Sequence, residues 1–429
     1  MKIGTLLKII RVVIGCILLL VGTMARAEQE LDTLATFTGD NGMQPGALVE
    51  TSEGNLYGAT LMGGKNNLGT IFRIVPGQDM ETVVNFNGEN GASPSMRLVV
   101  TPDGSVYGTT QKGGAHNLGT VFRVRHDGSL ETLVSFDESS GGPPQGDIVI
   151  DLDGTVYGCT DKGGTSNKGT IFKVSSDHQI HTVVNFTGEN GAYPQALFKG
   201  SDGLLRGVTC SGGSCDSGTL FSVDSAGKIN TLCAFGTSDA AIEHSRMTQS
   251  SKGDFYGTSF NGGQSGLGSL YTVSPAGVVT HIQDFSQDTG FHPGPDLVEW
   301  NNGYFYFQQL FRNAKIKSST VQWEGMNFCG TTSDGGEHGN GTVFRVTSDG
   351  RLATLVSFTG TQGKNRGSAP NSLIPGADGN LYGTTAAGGP ADKGTVFRVR
   401  TATWLLTASS YHEMHEILPA LPISPIVSP

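Results

Sequence analysis

The chain has 429 residues and a formal net charge of −10; only 15% of its residues are charged, while 64 are glycine. This acidic balance disfavours binding to nucleic acid or to anionic lipid surfaces. Beyond the N-terminal region, no segment is apolar over the length that a bilayer span needs, and no low-complexity tract indicates disorder.

The N-terminal residues have the order of a secretory signal. Basic residues precede an apolar run over residues 12–21, and the small-x-small triplet Ala-Arg-Ala follows at residues 25–27. This order predicts a signal peptide over residues 1–27. Cleavage after Ala27 would remove four basic residues and change the net charge to −14. We therefore expect an exported protein, periplasmic or extracellular, with no membrane span after cleavage.

The rest of the chain is built on a repeat of about 50 residues. In "YGTTQKGGAHNLGTVFRV", which starts at Tyr107, glycine stands 1, 6, 7 and 12 residues after the tyrosine, and an aromatic residue stands 15 residues after it. The same spacing occurs seven times, counted from Tyr57, Tyr107, Tyr157, Arg206, Tyr256, Cys329 and Tyr382. Repetition at this period favours one large domain over several unrelated ones.

Each unit has the pattern of four short strands. In the second unit these are "RLVVT", "SVYGTT", "GTVFRV" and "LETLVSF", separated by tight Asp-Gly turns and one glycine-rich loop. The fourth segment is missing after the last unit, whereas a copy of it, "LDTLATF", ends at Phe37 before the first unit. We expect an all-β, seven-bladed β-propeller over residues 28–400, with the strand from Leu31 to Phe37 closing the ring on the C-terminal blade. An open solenoid, the main alternative, would need capping units and would not explain the displaced strand.

The fixed glycines and aromatics both have structural explanations in a propeller. Glycines in turns adopt positive φ, and glycines inside strands let a neighbouring blade approach closely. The aromatic residue at position 15 is predicted to lie in the core between blades, because both faces of a blade are covered.

The pattern Y-G-T-T-x3-G-G-x4-G-T-V-F-R-V resembles the GloVer-type tandem repeat of bacterial choice-of-anchor proteins over nearly all of residues 30–400. The resemblance implies an exported repeat protein in a family without an established biochemical activity, many of whose members resemble anchored surface proteins. This chain departs from that plan, because residues 401–429 form an irregular tail without an apolar span and basic stop. Whether the protein is anchored to the surface therefore stays open.

The sixth unit contains 23 extra residues, Phe307 to Cys329, inside its second predicted strand. Two interpretations are open. Either the strand re-forms from the last inserted residues and the remainder is a loop, or the insertion disrupts the blade. A loop would present Arg312 and Trp323 as candidates for ligand binding.

The glycine-rich loops and the connections between blades are predicted to emerge on one face of the propeller, which we call the loop face. The variable positions in those loops are the best candidates for ligand contacts. They are Lys65, Asn66, His116, Asn117, Lys168 and His338. Oxygen-rich connections such as "FTGENGAYP" could hold calcium or sugar hydroxyls, but Asx-Gly turns explain them more simply, so we predict no metal and no cofactor. Cys210 and Cys215 lie in one loop, where export would permit a disulfide.

No nucleophile elbow, phosphate-binding loop or paired general acid and base stands out in the sequence. We therefore expect a non-enzymatic binding or scaffold propeller whose partner is a glycan or an extracellular protein. The alternative is a propeller enzyme acting on polysaccharide, a lyase or glycosidase, whose catalytic groups come from several blades.

Overall fold

The computed structural model describes residues 31–224, 226–236, 246–299, 327–348 and 350–400. The predicted signal peptide, Arg312 and Trp323 of the insertion, and the tail 401–429 lie outside these residues. Within them, seven antiparallel sheets follow one another around a ring, which confirms the seven-bladed β-propeller.

The first half of the ring begins with a displaced strand and continues through four blades. A 3₁₀ turn at Glu138–Ser140 precedes the third blade. The strands in chain order are β1 (Leu31–Thr36), β2 (Met43–Glu50), β3 (Leu56–Met62), β4 (Thr70–Ile74), β5 (Glu81–Asn85), β6 (Ala92–Pro94), β7 (Val99–Val100), β8 (Val106–Lys112), β9 (Thr120–Val124), β10 (Leu130–Ser135), β11 (Pro144–Ile150), β12 (Val156–Thr160), β13 (Thr170–Val174), β14 (Ile180–Asn185), β15 (Ala192–Lys199), β16 (Leu205–Ser211), β17 (Thr219–Val223) and β18 (Ile229–Ala234).

The second half completes blades five to seven. Its strands are β19 (Met247–Gln249), β20 (Phe255–Ser259), β21 (Ser269–Val273), β22 (Val279–Asp284), β23 (Phe291–Glu299), β24 (Asn327–Asp334), β25 (Thr342–Thr347), β26 (Leu352–Ser357), β27 (Ser368–Pro375), β28 (Leu381–Ala387) and β29 (Thr395–Val399). Neighbouring blades touch through their first strands, for example β11 with β15 and β23 with β27. The first strand of each blade therefore lines the central channel, and the fourth forms the rim. In the second blade the first strand is divided into β6 and β7, which both pair with β8.

Strand β1 closes the ring, as predicted. It pairs antiparallel with β29, from Leu31 opposite Val399 to Thr36 opposite Thr395, and so supplies the fourth strand of the seventh blade. The Asp32 carboxylate accepts hydrogen bonds from Arg398 Nη2 and Arg400 Nε, both at 2.6 Å. Hydrogen bonds and ion pairs between the two chain ends thus hold the closure together.

The repeated aromatic residues form the core between blades, which confirms that prediction. The phenylalanine that follows each fourth strand packs edge-on against the aromatic residue of the next blade's third strand; Phe37 and Phe72, for example, have ring centroids 5.1 Å apart and are fully buried. The same pairing recurs as Phe86–Phe122, Phe136–Phe172, Phe186–Phe221, Phe235–Tyr271, Phe285–Phe344 and Phe358–Phe397. Each blade is therefore anchored in its neighbour by one aromatic pair.

Blade six keeps its second strand in spite of the insertion. Strand β24 begins at Asn327, and its Phe328 and Cys329 pair with Glu299 and Val298 on β23. The same strand also pairs with β25 along its length. The last inserted residues thus re-form the strand, as the first of the two interpretations proposes. Residues 300–326, which connect β23 to β24, lie outside the described part of the chain.

Among the described residues, no helix has the length and apolar character that crossing a membrane would require.

Candidate functional site

The glycine-rich loops and the blade connections meet on the loop face. In the first blade, Gly64 N–H donates a hydrogen bond of 2.8 Å to the carbonyl oxygen of Gly39 in the preceding connection. Gly114 and Gly213 make equivalent 2.8 Å bonds to Gly88 and Gly188. These repeated backbone bonds fix the loops against the connections, and they give the loop face a rigid base.

Two of the predicted loop contacts have structural tasks. The Asn66 side-chain amide donates to the carbonyl of Phe86 at 2.8 Å. Asn117 has a φ of 56°, and its side-chain oxygen accepts a 2.9 Å hydrogen bond from Gly113 N–H. Both side chains stabilise the loop that carries them, which is sufficient to explain their presence.

The other described candidates point to solvent or to a neighbouring blade. Lys65, His116 and His338 are exposed on the loops of three different blades. Lys168 is half-buried, and its Nζ lies 5.3 Å from the centroid of the Tyr193 ring in the next blade. The structure thus brings Lys168 to an aromatic partner. Ligand contacts by these four residues stay predictions.

The predicted cysteine pair lies in one loop of the fourth blade. Cys210 is half-buried and Cys215 is an exposed free thiol in this structure. Their disulfide stays a prediction for the exported, oxidised protein.

A set of residues that sequence reasoning did not single out surrounds the loop-face end of the channel. Each precedes a proline near the start of a first strand, has φ between 51° and 57°, and is not glycine. Each also donates its backbone N–H to the glycine-rich loop of the preceding blade, as Tyr193 does to Lys168 O at 2.8 Å. We call Gln44, Ser93, Tyr193, His292 and Ala369 the mouth ring. Five blades thus share one left-handed backbone position but carry five different side chains.

His292 has the most elaborate surroundings in the mouth ring. Its Nδ1 lies 3.0 Å from Oδ2 of Asp334 on the next strand of its blade. Its ring stacks on Phe260 of the preceding blade, with 4.4 Å between centroids and 8° between planes. Ser333 Oγ donates to the same Asp334 oxygen at 2.6 Å. The imidazole is therefore oriented by a carboxylate and an aromatic face, and Nε2 is left as its second polar atom.

Deeper in the channel, four charged side chains from four blades meet. Arg97 of the second blade contacts Asp296 of the sixth blade and has its Nε 3.6 Å from Oδ1 of Asp147. Arg246 of the fifth blade makes a two-point contact with Asp147 of the third. We call Arg97, Asp147, Arg246 and Asp296 the channel cluster. Since blades two and six, and blades three and five, are not neighbours, these ion pairs span the channel.

The two carboxylates of the channel cluster are mostly buried, whereas the Arg97 and Arg246 side chains are 27% and 20% exposed. The Asp147 and Asp296 side chains are 12% and 10% exposed. Burial, assisted by the positive charge of Arg246, lowers the pKa of Arg97 to about 9, so the guanidinium remains charged at neutral pH. Burial, followed by the negative charge of Asp147, raises the pKa of the nearby Cys159 thiol. Cys159 is therefore an inert thiol that donates to Gln145 O at 3.1 Å.

A signal for the channel cluster was present in the repeat. Arg97, Asp147 and Arg246 stand ten residues before the repeat tyrosine, and Asp296 stands ten residues before Tyr306, the tyrosine that precedes the insertion of the sixth unit. The other three units carry Ala47, Ala196 and Ser372 at this position. A buried strand position that carries charges in four of seven copies predicts an internal ion-pair network. The sites predicted from the sequence lie in the loops and do not include this position.

No three His, Cys, Asp or Glu side chains among the residues that the structure describes come together to hold a metal ion. Two shallow depressions lie elsewhere on the surface. One is lined by Asp288, Glu337 and Asn365 beside the sixth blade, and the other by Asp103 and His126 on the face opposite the loops. They lack the convergence of groups from several blades that the channel has.

The family model of the Gloeobacter/Verrucomicrobia repeat matches residues 20–205, 193–307 and 310–416 of this chain. No curated protein matches its sequence. Among solved structures, virginiamycin B lyase from Staphylococcus aureus is similar at 12% identity, with a TM-score of 0.55 over 87% of this chain and 99% of the lyase. Dipeptidyl peptidase 4 of Porphyromonas gingivalis is similar at 10% identity and a TM-score of 0.42, over 79% of this chain and 48% of the peptidase. At these identities the lyase shares the fold, and no more follows from it.

Proposed function

The chain belongs to the Gloeobacter/Verrucomicrobia repeat family, and on that premise we propose that it is an exported propeller that binds a glycan at the mouth ring. The observation that carries the proposal is the conformation of that ring. Non-glycine residues with positive φ are uncommon and strained by about 1–3 kcal/mol, and such strain persists where the surrounding structure enforces it. Five blades retain a side chain where glycine would be easier.

The variation of those side chains separates recognition from architecture. Positions that serve only the architecture of the propeller carry one residue type in the repeats. The glycines that contact the blade connections are an example. At the mouth ring the backbone is constant, but glutamine, serine, tyrosine, histidine and alanine alternate. A constant frame with variable side chains at the end of a channel is the arrangement of a binding surface.

The chemistry of the mouth ring suits a sugar. Tyr193 and the stacked Phe260–His292 pair offer flat apolar faces, while Gln44 and Ser93 offer hydrogen-bonding groups. Aromatic side chains with polar partners can cover a sugar ring and bind its hydroxyl groups at once. A protein partner would instead need a larger contact area over the loops, and it is the other outcome of the test below.

The test uses alanine because Ala369 shows that the mouth-ring backbone accepts it at φ 51°. We expect Tyr193→Ala and His292→Ala to weaken retention of the full chain on insoluble cellulose, xylan or chitin about tenfold or more. His126→Ala, an exposed histidine on the opposite face, is the matched control and should bind as the wild type does. If both mouth variants also bind normally, the mouth ring is not the site. Retention on none of these polymers, together with capture of a defined extracellular protein, would replace the glycan by a protein partner.

The enzyme alternative rests on one pair of residues. A histidine held by a carboxylate through Nδ1 can act as a general base through Nε2, and His292 and Asp334 have this arrangement. The same polysaccharide experiment, scored for shortened products, separates the two functions. Product release by the wild type that is lost in both His292→Ala and Asp334→Asn would establish catalysis, whereas retention without release supports a binding protein.

Export is part of the proposal and rests on the N-terminal sequence pattern. N-terminal sequencing of protein from the periplasm or medium should find Glu28 first. An intact Met1 on protein retained in the cytoplasm would contradict export.

A further inference from the structure

The channel cluster lies below the mouth ring in the channel, and we call it the floor. Arg97 reaches Asp296 across the ring, and Arg246 reaches Asp147 in the same way. Because both contacts join blades that are not adjacent, the paired side chains extend into the channel and meet there. A ligand that enters between the mouth-ring residues would end at these four groups.

The mouth ring and the floor lie on the same strands. Ser93 lies on β6 and Arg97 lies between β6 and β7 of the second blade, and His292 and Asp296 belong to β23. Four residues of extended chain correspond to about 10–13 Å, shortened by the irregular register on these strands. The floor is therefore one short segment below the mouth and faces the same opening.

The balance of charges in the floor restricts what it can bind. Two guanidinium groups face two carboxylates, so the cluster has no net charge. A ligand end with its own charge would leave one charge without a partner beside the mostly buried carboxylates, which is unfavourable. A group that both donates and accepts hydrogen bonds can insert between the pairs without this penalty. Hydroxyl groups have this property, and the acidic chain also repels anions at long range.

We propose that the channel cluster binds the hydroxyl groups of a neutral terminal sugar of the glycan, with Arg97 and Arg246 donating and Asp147 and Asp296 accepting. This proposal rests on the glycan-binding function given above and adds the depth of the site and the class of sugar. It makes the propeller a protein that recognises chain ends, because the end of a polymer enters a channel crossed by ion pairs more easily than its middle does.

The test removes the polar floor while keeping the fold. Replacement of a buried ion pair by apolar residues of similar volume is often neutral for stability, so the double variant Arg97→Met with Asp296→Leu should fold. The matched control is Arg123→Met with Glu131→Leu, which removes an ion pair on the outer strands of the second blade. Binding of cellohexaose, xylohexaose and maltohexaose is measured by calorimetry on the full chain. We expect the channel double variant to lose about tenfold or more in affinity for the hexasaccharide that binds best, and the control to lose none.

A second variant covers failure of the first to fold. Arg97→Asp with Asp296→Arg keeps a pair across the channel but exchanges donor and acceptor, and we expect the same loss of affinity. Wild-type affinity in either folded channel variant overturns the floor site, while weakened binding by Tyr193→Ala would leave the mouth-ring function standing. Preference of the wild type for hexagalacturonate over the neutral hexasaccharides overturns the neutral-sugar assignment. No binding of any saccharide by the wild type overturns both proposals.

Discussion

The substitution Gly63→Ala tests why the repeat needs glycine at Gly63, in the loop where its glycines stand closest together. Gly63 has φ +81°, and a Cβ at this position would lie 2.5 Å from the carbonyl oxygen of Gly39 and 2.8 Å from Cα of Gly42. Gly77, in a tight turn of the same blade, has φ +78° and no atom within 4 Å of such a Cβ. The two glycines thus share a backbone conformation but differ in their surroundings.

The magnitudes follow from this difference. Alanine in the left-handed region costs about 1–2 kcal/mol, partly offset by about 0.4–1 kcal/mol from the lower entropy of the unfolded chain. Gly77→Ala should therefore lower the free energy of unfolding by about 0–1.6 kcal/mol. Gly63→Ala adds a clash with backbone atoms of the blade connection, which cannot move aside as a flexible side chain can. Overpacking of this kind costs a further ~1–3 kcal/mol.

Urea unfolding followed by circular dichroism, with calorimetry as a second probe, measures both variants. We expect Gly63→Ala to be the less stable of the two by about 1–3 kcal/mol. The hydrogen bond from Gly64 N–H to Gly39 O should also open, so amide exchange at Gly64 should accelerate in Gly63→Ala alone. Equal losses of stability in the two variants would mean that backbone conformation, rather than close approach to the connection, explains this glycine.

Three further predictions concern the closure, the buried hydroxyls and the thiols. Burial raises the pKa of Asp32, but hydrogen bonds from Arg400 and Arg398 outweigh it and lower the pKa below its usual value. The stabilisation from Asp32 is therefore present above the unfolded pKa of about 3.9 and is lost as the pH falls through the folded pKa. In calorimetry, Asp32→Asn should lower Tm at pH 7 and reduce the dependence of Tm on pH below pH ~4. An unchanged Tm would show that the ion pairs do not stabilise the ring closure. Thr110 Oγ1 accepts a hydrogen bond from Thr120 N–H at 3.0 Å and lies 2.9 Å from Thr120 Oγ1 in the buried interior. Thr110→Val should therefore lower the free energy of unfolding in urea by about 1–3 kcal/mol. Thr132→Val on the rim is the control and should lower it less. Burial raises the pKa of Cys329 to about 12. In native protein kept reduced, Ellman's reagent should therefore react rapidly with the exposed Cys215 thiol and not with Cys329. Oxidised protein in which Cys215 still reacts would contradict the predicted disulfide with Cys210.

The architecture could be predicted from the sequence because its cause is local and repeated seven times. Gly-rich loops, Asp-Gly turns and β-branched runs specify four strands per unit, and the displaced copy ending at Phe37 specifies the closure. The aromatic pairs could be predicted as well, because two aromatic positions recur at a fixed spacing and such side chains are buried in the core. These features depend on spacing alone, which a single sequence displays in full.

The candidate site could be predicted from the sequence only in part. The loop face follows from strand order, but the loops are held by their own hydrogen bonds, so Asn66 and Asn117 are explained as structural residues. The mouth ring escaped notice because positive φ at Tyr193 or His292 arises from tertiary contacts with the preceding blade, and nothing in a Tyr-Pro or His-Pro dipeptide specifies it. The ion pairs across the channel required knowledge of which blades face each other.

The order of residues around the channel explains how a sevenfold backbone can carry a site without sevenfold symmetry. From the first blade to the seventh, the position occupied by Arg97 in the second blade is small, Arg, Asp, small, Arg, Asp and small. Seven is odd, so charges cannot alternate around the ring, and a long arginine side chain needs space beside it to reach across. The small, buried residues Ala47, Ala196 and Ser372 separate the charged positions. Because Ser372 and Ala47 lie on adjacent blades, the ring closure is the part of the ring where two neighbouring blades have no charged side chain at this position.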